Sequence, residues 1–147
     1  MKDNNIAFVD TNILVYAFDE SYENRRNPCS ELVRSGFQGD AEYFVSNQVL
    51  SELYVVLTSH VRKPLSKEKG SLIVTGFLDS AKWKKLNYTT ATVKRALQDS
   101  ERINISFWDM LIAETMKEAS VRLIYTENER DFRKIPWVQS ENPMLMR

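Results

Sequence analysis

Short apolar runs alternate along this chain with longer segments of helical periodicity. Ile6-Ala7-Phe8-Val9 is apolar throughout and stops at Asp10, the pattern of a strand buried on both faces of a parallel sheet. Residues 11–19 read as helix or turn. Over 25–37, Leu32, Val33 and Phe37 recur at helical spacing, and Gly36 and Gly39 suit a helix end. Tyr43-Phe44-Val45 is a second short strand. From Asn47 to about Val61, the positions Val49, Leu50, Leu53, Tyr54, Val56 and Leu57 form a broad apolar helix face, and Pro64 forbids continuation.

The second half repeats the alternation. Residues 66–80 predict a helix with Leu72, Ile73, Phe77 and Leu78 on one side. Leu86-Asn87-Tyr88 is a weak strand. Thr89 to about Arg102 predicts a helix with Val93, Ala96 and Leu97 inward, and Phe107 to about Ala119 another. Arg122-Leu123-Ile124-Tyr125-Thr126 is a strand with an apolar centre. A short helix near 128–133 and an edge strand at Trp137-Val138 close the chain. Strands alternating with helices argue for an α/β fold with a mainly parallel sheet and helices on both faces. Ligands of such sheets sit at the carboxyl ends of the strands. Polar residues that follow strands or open helices therefore carry the functional reading.

The length of 147 residues suits one domain, 1–147. Lys plus Arg and Asp plus Glu number 20 each, so the net charge is zero. No global field draws in a polyanion, and any nucleic-acid contact must come from a local basic cluster. Cys29 is the single cysteine, so no intrachain disulfide forms. The polar N-terminus is unlike a signal peptide, and no apolar run approaches membrane-spanning length. These features predict a soluble, cytoplasmic protein with no membrane partner.

Four acids share the predicted functional edge. Asp10 ends the first strand within Asp10-Thr11-Asn12, where three oxygen-bearing side chains stand although one helix cap would suffice. Glu52 lies beside the apolar face of the helix after the second strand; its plain alternative is a solvated surface acid. Asp109 opens a helix within Ser106-Phe107-Trp108-Asp109, which also reads as a capping box. Asp131 leads the acids after the last apolar strand, ahead of Glu127 and Glu129. Thr126 and Asn128 are placed to bond a carboxylate or a water. Converging carboxylates repel unless a cation neutralises them or some stay protonated, and oxygen-only donors suit Mg2+ or Mn2+. Zinc is disfavoured, because Cys29 and His60 are alone of their kinds and far apart in sequence. His60 reads as a helix-end residue. There is no Gly-x-Ser-x-Gly elbow, no glycine-rich phosphate loop, and no Asp-x-Asp phosphatase pattern at Asp10.

In this order and spacing the residues resemble the PIN-domain family, in particular the VapC-like ribonuclease toxins of type II toxin–antitoxin pairs. Phe8-Val9-Asp10-Thr11-Asn12 is similar to the family's opening signature. Ser51-Glu52 is similar to its second acid, Phe107-Trp108-Asp109 to its third, and Tyr125 through Phe132 to its last motif. The resemblance implies a three-layer α/β/α fold with a mainly parallel sheet of about five strands. It implies Mg2+- or Mn2+-dependent hydrolysis of RNA, a homodimer, and a small antitoxin partner. Carried over residue by residue, Asp10, Glu52, Asp109 and Asp131 are the catalytic acids. Asp10 and Asp109, with Glu52, would hold the cation, and Glu52 would also orient or deprotonate a water. Thr11, Asn12, Thr126 and Asn128 support them. Many members carry an acid where this chain has Asn128, so either Asp131 substitutes or three acids suffice, and a second metal is in question. The neutral charge and Asn128 keep open a catalytically inactive PIN fold that binds RNA or protein.

Arg25 and Arg26 follow a stretch suited to a loop over the strand ends, where Tyr16, Phe18 or Tyr22 could stack on a base. They are the leading RNA-binding pair, with Arg62 and Lys63, and Arg130 and Arg133, as others. Tyr54, Trp83, Tyr88, Trp108 and Trp137 exceed what a small core readily hides. That surplus suggests a homodimer and an apolar groove for an antitoxin segment.

Overall fold

The computed structural model describes residues 6–21 and 23–145, without the side chains of 23–27. Among these residues five strands form one parallel sheet: β1 (Ile6–Val9), β2 (Glu42–Ser46), β3 (Lys84–Leu86), β4 (Leu123–Tyr125) and β5 (Gln139–Glu141), in the order β3-β2-β1-β4-β5. The helices are α1 (Thr11–Phe18), α2 (Glu23–Gln38), α3 (Asn47–Val55), α4 (Lys67–Asp79), α5 (Thr90–Ser100), α6 (Phe107–Glu118) and α7 (Glu129–Phe132). Right-handed crossovers put α1 to α4 on one face and α5 to α7 on the other, a three-layer α/β/α arrangement. None of the described helices is long and apolar enough to cross a membrane.

The central strands are the apolar ones. Ala7, Phe8, Val9, Leu123, Ile124 and Tyr125 are all buried, as strands covered on both faces must be. The strand order reverses direction at β1, where β2 lies on one side and β4 on the other. A crevice opens at such a switch point, and here it lies between the ends of β1 and β4. Val9 pairs with Tyr125, and the Asp10 N–H extends the ladder to the Tyr125 carbonyl at 3.0 Å.

Serine and threonine caps set the helix starts. Ser46, Ser66 and Ser106 accept backbone N–H bonds at the heads of α3, α4 and α6, and Thr89 with Thr92 forms a capping box at α5. Gly39, with φ of +80°, ends α2. Gly36 lies inside that helix for another reason: a Cβ there would come within 2.5 Å of the Trp83 ring.

Several expectations shift. The helix from Asn47 does not run on as one α-helix: after Val55 it becomes a π-turn over Val56–His60, closed by the Val61 N–H to Val56 carbonyl bond at 3.1 Å. The edge strands lie at 84–86 and 139–141, not at 86–88 and 137–138. Leu72 and Leu78 do not share the inward side of α4 with Phe77, for Leu72 is 68% exposed and Leu78 is exposed too. Leu97 likewise points outward from α5, while Ala96 is buried.

Candidate active site

Asp10 follows β1 directly and caps α1. One carboxylate oxygen accepts the Thr11 N–H at 2.8 Å, and the other accepts the Thr126 hydroxyl at 2.8 Å. Thr126 is the residue after β4 and is buried, and its oxygen accepts the Asn128 N–H at 2.9 Å. The cap and the site are thus one residue doing both jobs. The Thr11 hydroxyl donates to Glu52 Oε1 at 2.9 Å, which joins α1 to α3. Asn12 Oδ1 accepts the Glu127 N–H at 3.2 Å and ties α1 to the loop after β4. Glu52 is therefore not a freely solvated surface acid.

Asp109 sits in the first turn of α6. Its Oδ2 accepts the Asn128 side-chain N–H at 2.9 Å, while Ser106 caps the helix by accepting the Trp108 N–H. The capping-box geometry does not claim the Asp109 carboxylate. The same Asn128 amide donates to Asp131 Oδ2 at 3.2 Å, so one neutral side chain clips two acids together. Asp131 joins the network through this amide and does not line the cleft.

The cleft holds about 480 Å3 and gathers residues far apart in sequence: Asp10, Thr11 and Asn12, then Glu52, then Asp109, then Asn128. Burial pushes the Asp10 carboxyl up to about 6, against the opposing pull of the Thr126 hydrogen bond; the charges of Asp109 and Glu52 push it further up. Asp109 is also raised, first by burial and then by Asp131 and Glu52, with the Asn128 bond opposing. Both carboxyls sit where negative charge is unwelcome without a counter-ion.

Whether a divalent cation fits is decided by donor chemistry. Among the described residues no three acid, histidine or cysteine side chains gather into a ready-made metal cage. Mg2+ does not need one, because it keeps several waters and is commonly held by one or two carboxylates and a substrate phosphate. Asp10 and Asp109, both destabilised as anions and both facing the cleft, fit that pattern.

A family model for the PIN domain matches residues 7–138 of the chain. The chain belongs to the PIN-domain family. No curated protein matches it. Among solved structures, VapC20 of Mycobacterium tuberculosis, described as a toxin that cleaves the sarcin–ricin loop, aligns with a TM-score of 0.67 at 18% identity, over 90% of this chain and 96% of that one. DNA-bound VapBC of Salmonella typhimurium gives a TM-score of 0.66 at 22% identity, over 94% and 98%. VapBC2 of Rickettsia felis, bound to a promoter DNA fragment, gives 0.64 at 23%, over 93% and 98%. At these identities the likeness is one of fold, and it confirms the three-layer PIN-type architecture around the parallel sheet.

The PIN-type cleft also contains residues that sequence reasoning passed over or gave another role. Asp19, buried at the end of α1, lines it, as do Gln48, His60 and Trp108. A spacing of four from Gln48 through Glu52 and Val56 to His60 was the available signal. Arg62 lines the cleft as well, whereas Lys63 does not. Tyr16 lines it and donates its hydroxyl to Glu127. Phe18 packs edge-on against Phe77. Arg133 pairs with Glu129. Tyr22 and the side chains of Arg25 and Arg26 lie outside the described residues.

Proposed function

We propose that this PIN-domain chain is a metal-dependent endoribonuclease that hydrolyses RNA phosphodiester bonds and serves as the toxin of a toxin–antitoxin pair. The observation that carries the reading is the convergence of Asp10, Glu52 and Asp109 on one cleft at the carboxyl ends of β1 and β4. VapC20 and the VapBC complexes on the same fold support the toxin role. They also support a small antitoxin as partner, and we extend the reading to a homodimer working in the cytoplasm.

Asp10 and Asp109 would hold the cation, Mg2+ or Mn2+, with Glu52 beside them. Bound there, a divalent cation supplies positive charge that offsets the carboxylates and the substrate phosphate. The chain's own residues do the rest. Thr126 and the Thr11 N–H fix the Asp10 carboxylate, each bond at 2.8 Å. The Thr11 hydroxyl holds Glu52, which would orient an attacking water and take its proton. Asn128 orients Asp109 without adding charge, and Asp131 acts from behind it.

Incubating the protein with RNA in Mn2+, in Mg2+ and in chelator, beside Asp10→Asn, tests this. Cleavage that needs the cation and is lost in Asp10→Asn is expected; cleavage that persists in the variant sinks it. The neutral Asn128 favours a second reading, a PIN fold that binds RNA without cutting it. Binding without cleavage under every cation would select that reading.

A further inference from the structure

Part of the cleft wall is built by the π-turn, through Val56 and His60. An α-helix turns about 100° per residue, so each step of four over-rotates by about 40°. Gln48, Glu52, Val56 and His60 are spaced by such steps, and a straight helix would carry His60 about 120° off the Gln48 line. The wider π-turn over Val56–His60 takes part of that drift back. His60 consequently remains on the cleft wall, and Arg62 follows it there.

The charges on this surface are uneven. Asp10, Asp19, Glu52 and Asp109 all line the cleft, and Arg62 is the one formally cationic side chain among its described lining residues. Arg62 and His60 are exposed, and neither side chain has a hydrogen bond or ion pair among the described residues. An unpaired guanidinium above an acidic floor attracts an anion that the floor itself repels.

Trp108 lines the same cleft beside Gln48, at the opposite end of the Gln48–Glu52–Val56–His60 line from Arg62. It is 55% exposed, although its backbone is held on both sides: Ser106 accepts its N–H, and Gln48 donates to its carbonyl at 3.4 Å. A second cavity of about 340 Å3 continues past it toward Asn87 and Tyr88, sharing Gln48, Glu52 and Trp108 with the first. A path therefore runs from Arg62 over the acids and across the indole.

We propose that this path is the substrate track: Arg62, assisted by His60, grips one phosphate of a single-stranded RNA, and Trp108 stacks an unpaired base at the opposite end of that line. The inference rests on the ribonuclease reading and deepens it. A ring lying in the path recognises bases only when they are free to leave their own stack, which selects single strands over duplexes. The zero net charge fits, since one phosphate held locally and one stacked base do not require a basic surface.

Anisotropy of a short labelled single-stranded RNA across a salt series, with Ca2+ as the cation, tests the track. Arg62→Ala is expected to weaken binding about tenfold and to lower the salt slope by about 0.7, with Arg62→Lys restoring most of the slope. His60→Ala moves affinity in the same direction and less. Trp108→Ala is expected to cost about tenfold with the salt slope unchanged, and Trp108→Phe to recover most of it. The conservative variants keep the test decisive should an alanine chain fail to fold. Suppose Arg62→Ala and Trp108→Ala bind as the wild type does, while wild-type cleavage in Mn2+ is lost in Asp10→Asn. The nuclease reading then stands and the track is wrong. A wild type that neither binds nor cuts RNA overturns both.

Discussion

Asp10 and Glu114 are both buried carboxylates, 6% and 0% exposed, and their surroundings differ in kind. Asp10 receives two hydrogen bonds from neutral donors, the Thr11 N–H and the Thr126 hydroxyl, and opens onto a cleft. Glu114, on the inward side of α6 against α5, receives none among the described residues. Its nearest cation is the Arg95 Nε at 3.6 Å, but that guanidinium is bound to Glu118 on the next turn. Asp99 stands beside Glu114 and adds to the cost of its charge, so burial and this neighbour together favour the protonated carboxyl. Neutral donors satisfy geometry and leave charge behind, so the cleft is poised for a cation from outside. The α5–α6 cluster is closed, and a proton does there what a metal would do in the cleft. Buried acids thus mark a candidate site only where their charge remains available to solvent.

The widest separation between the two regions is expected in catalysis. Asp10→Asn should reduce RNA cleavage in Mn2+ by about 10²–10³-fold, the scale of removing one preorganised electrostatic group. Glu114→Gln should leave the cleavage rate within about twofold, since α6 keeps its position and Asp109 its partner Asn128. Rates measured side by side on one RNA decide it. Equal losses in both variants would mean that the buried cluster feeds the site and that the contrast is false.

Stability gives the next contrast. In chelator, Asp10→Asn removes a charge that is desolvated and repelled by Asp109 and Glu52. The variant should unfold about 1–3 kcal/mol later, the upper figure following from a carboxyl moved from 3.8 to about 6 and the lower from a weakened cap. A denaturant titration reads it, and a clear loss of stability would instead make Asp10 chiefly a helix cap. Restoring Mg2+ at ten times its Kd should stabilise the wild type by about 1.4 kcal/mol. Asp10→Asn should lose that gain and Glu114→Gln should keep it, as thermal melts with and without the cation would show.

The cleft was legible in the sequence because its parts obey strong local rules. Ile6–Val9 and Leu123–Tyr125 are apolar runs that end at Asp10 and Thr126, and the sheet-end rule turns those two residues toward each other. Glu52 was legible only as part of the set. The edge strands were not legible: Gln139–Glu141 is wholly polar, and its strand state comes from pairing with β4. Lys84–Leu86 is likewise fixed by its register with β2. The π-turn leaves no mark in the hydrophobic pattern, which is why His60 read as a helix end. Leu72 and Leu97 sit at helical spacing yet face outward, because spacing locates an apolar stripe only within a turn or so of its true edge. Glu114 is the sharpest case. In Ala113-Glu114-Thr115 nothing distinguishes it from a solvated helix acid, and only the approach of α5 closes it in.

The smallest expected effect tests that closed cluster by pH. The groups facing Glu114 are Arg95 and Asp99 from α5 and Lys117 from its own helix. Burial, together with Asp99, pushes Glu114 up to about 7, while Asp99 is lowered, first by the neighbouring Glu114 carboxyl and then by Arg102. A carboxyl whose folded value is raised holds its proton in the native state after the unfolded chain has released it. Its contribution is complete below the unfolded value of 4.5 and is lost as pH rises toward 7. The lowered Asp99 acts oppositely, contributing above 3.8 and losing that contribution as pH falls. Stability from this pair is therefore greatest between the two unfolded values, 3.8 and 4.5, and declines as pH rises toward 7, by on the order of 1–3 kcal/mol. Glu114→Gln removes the charge that burial and Asp99 disfavour above pH 7. The variant should match the wild type near pH 5 and exceed it by about 1 kcal/mol at pH 8, or roughly 2–4 °C in Tm for a chain of this size. Melts of both proteins from pH 5 to 8 in chelator measure the difference. Parallel curves across that range would show that Glu114 is ionised throughout and that Arg95, not a proton, balances its charge.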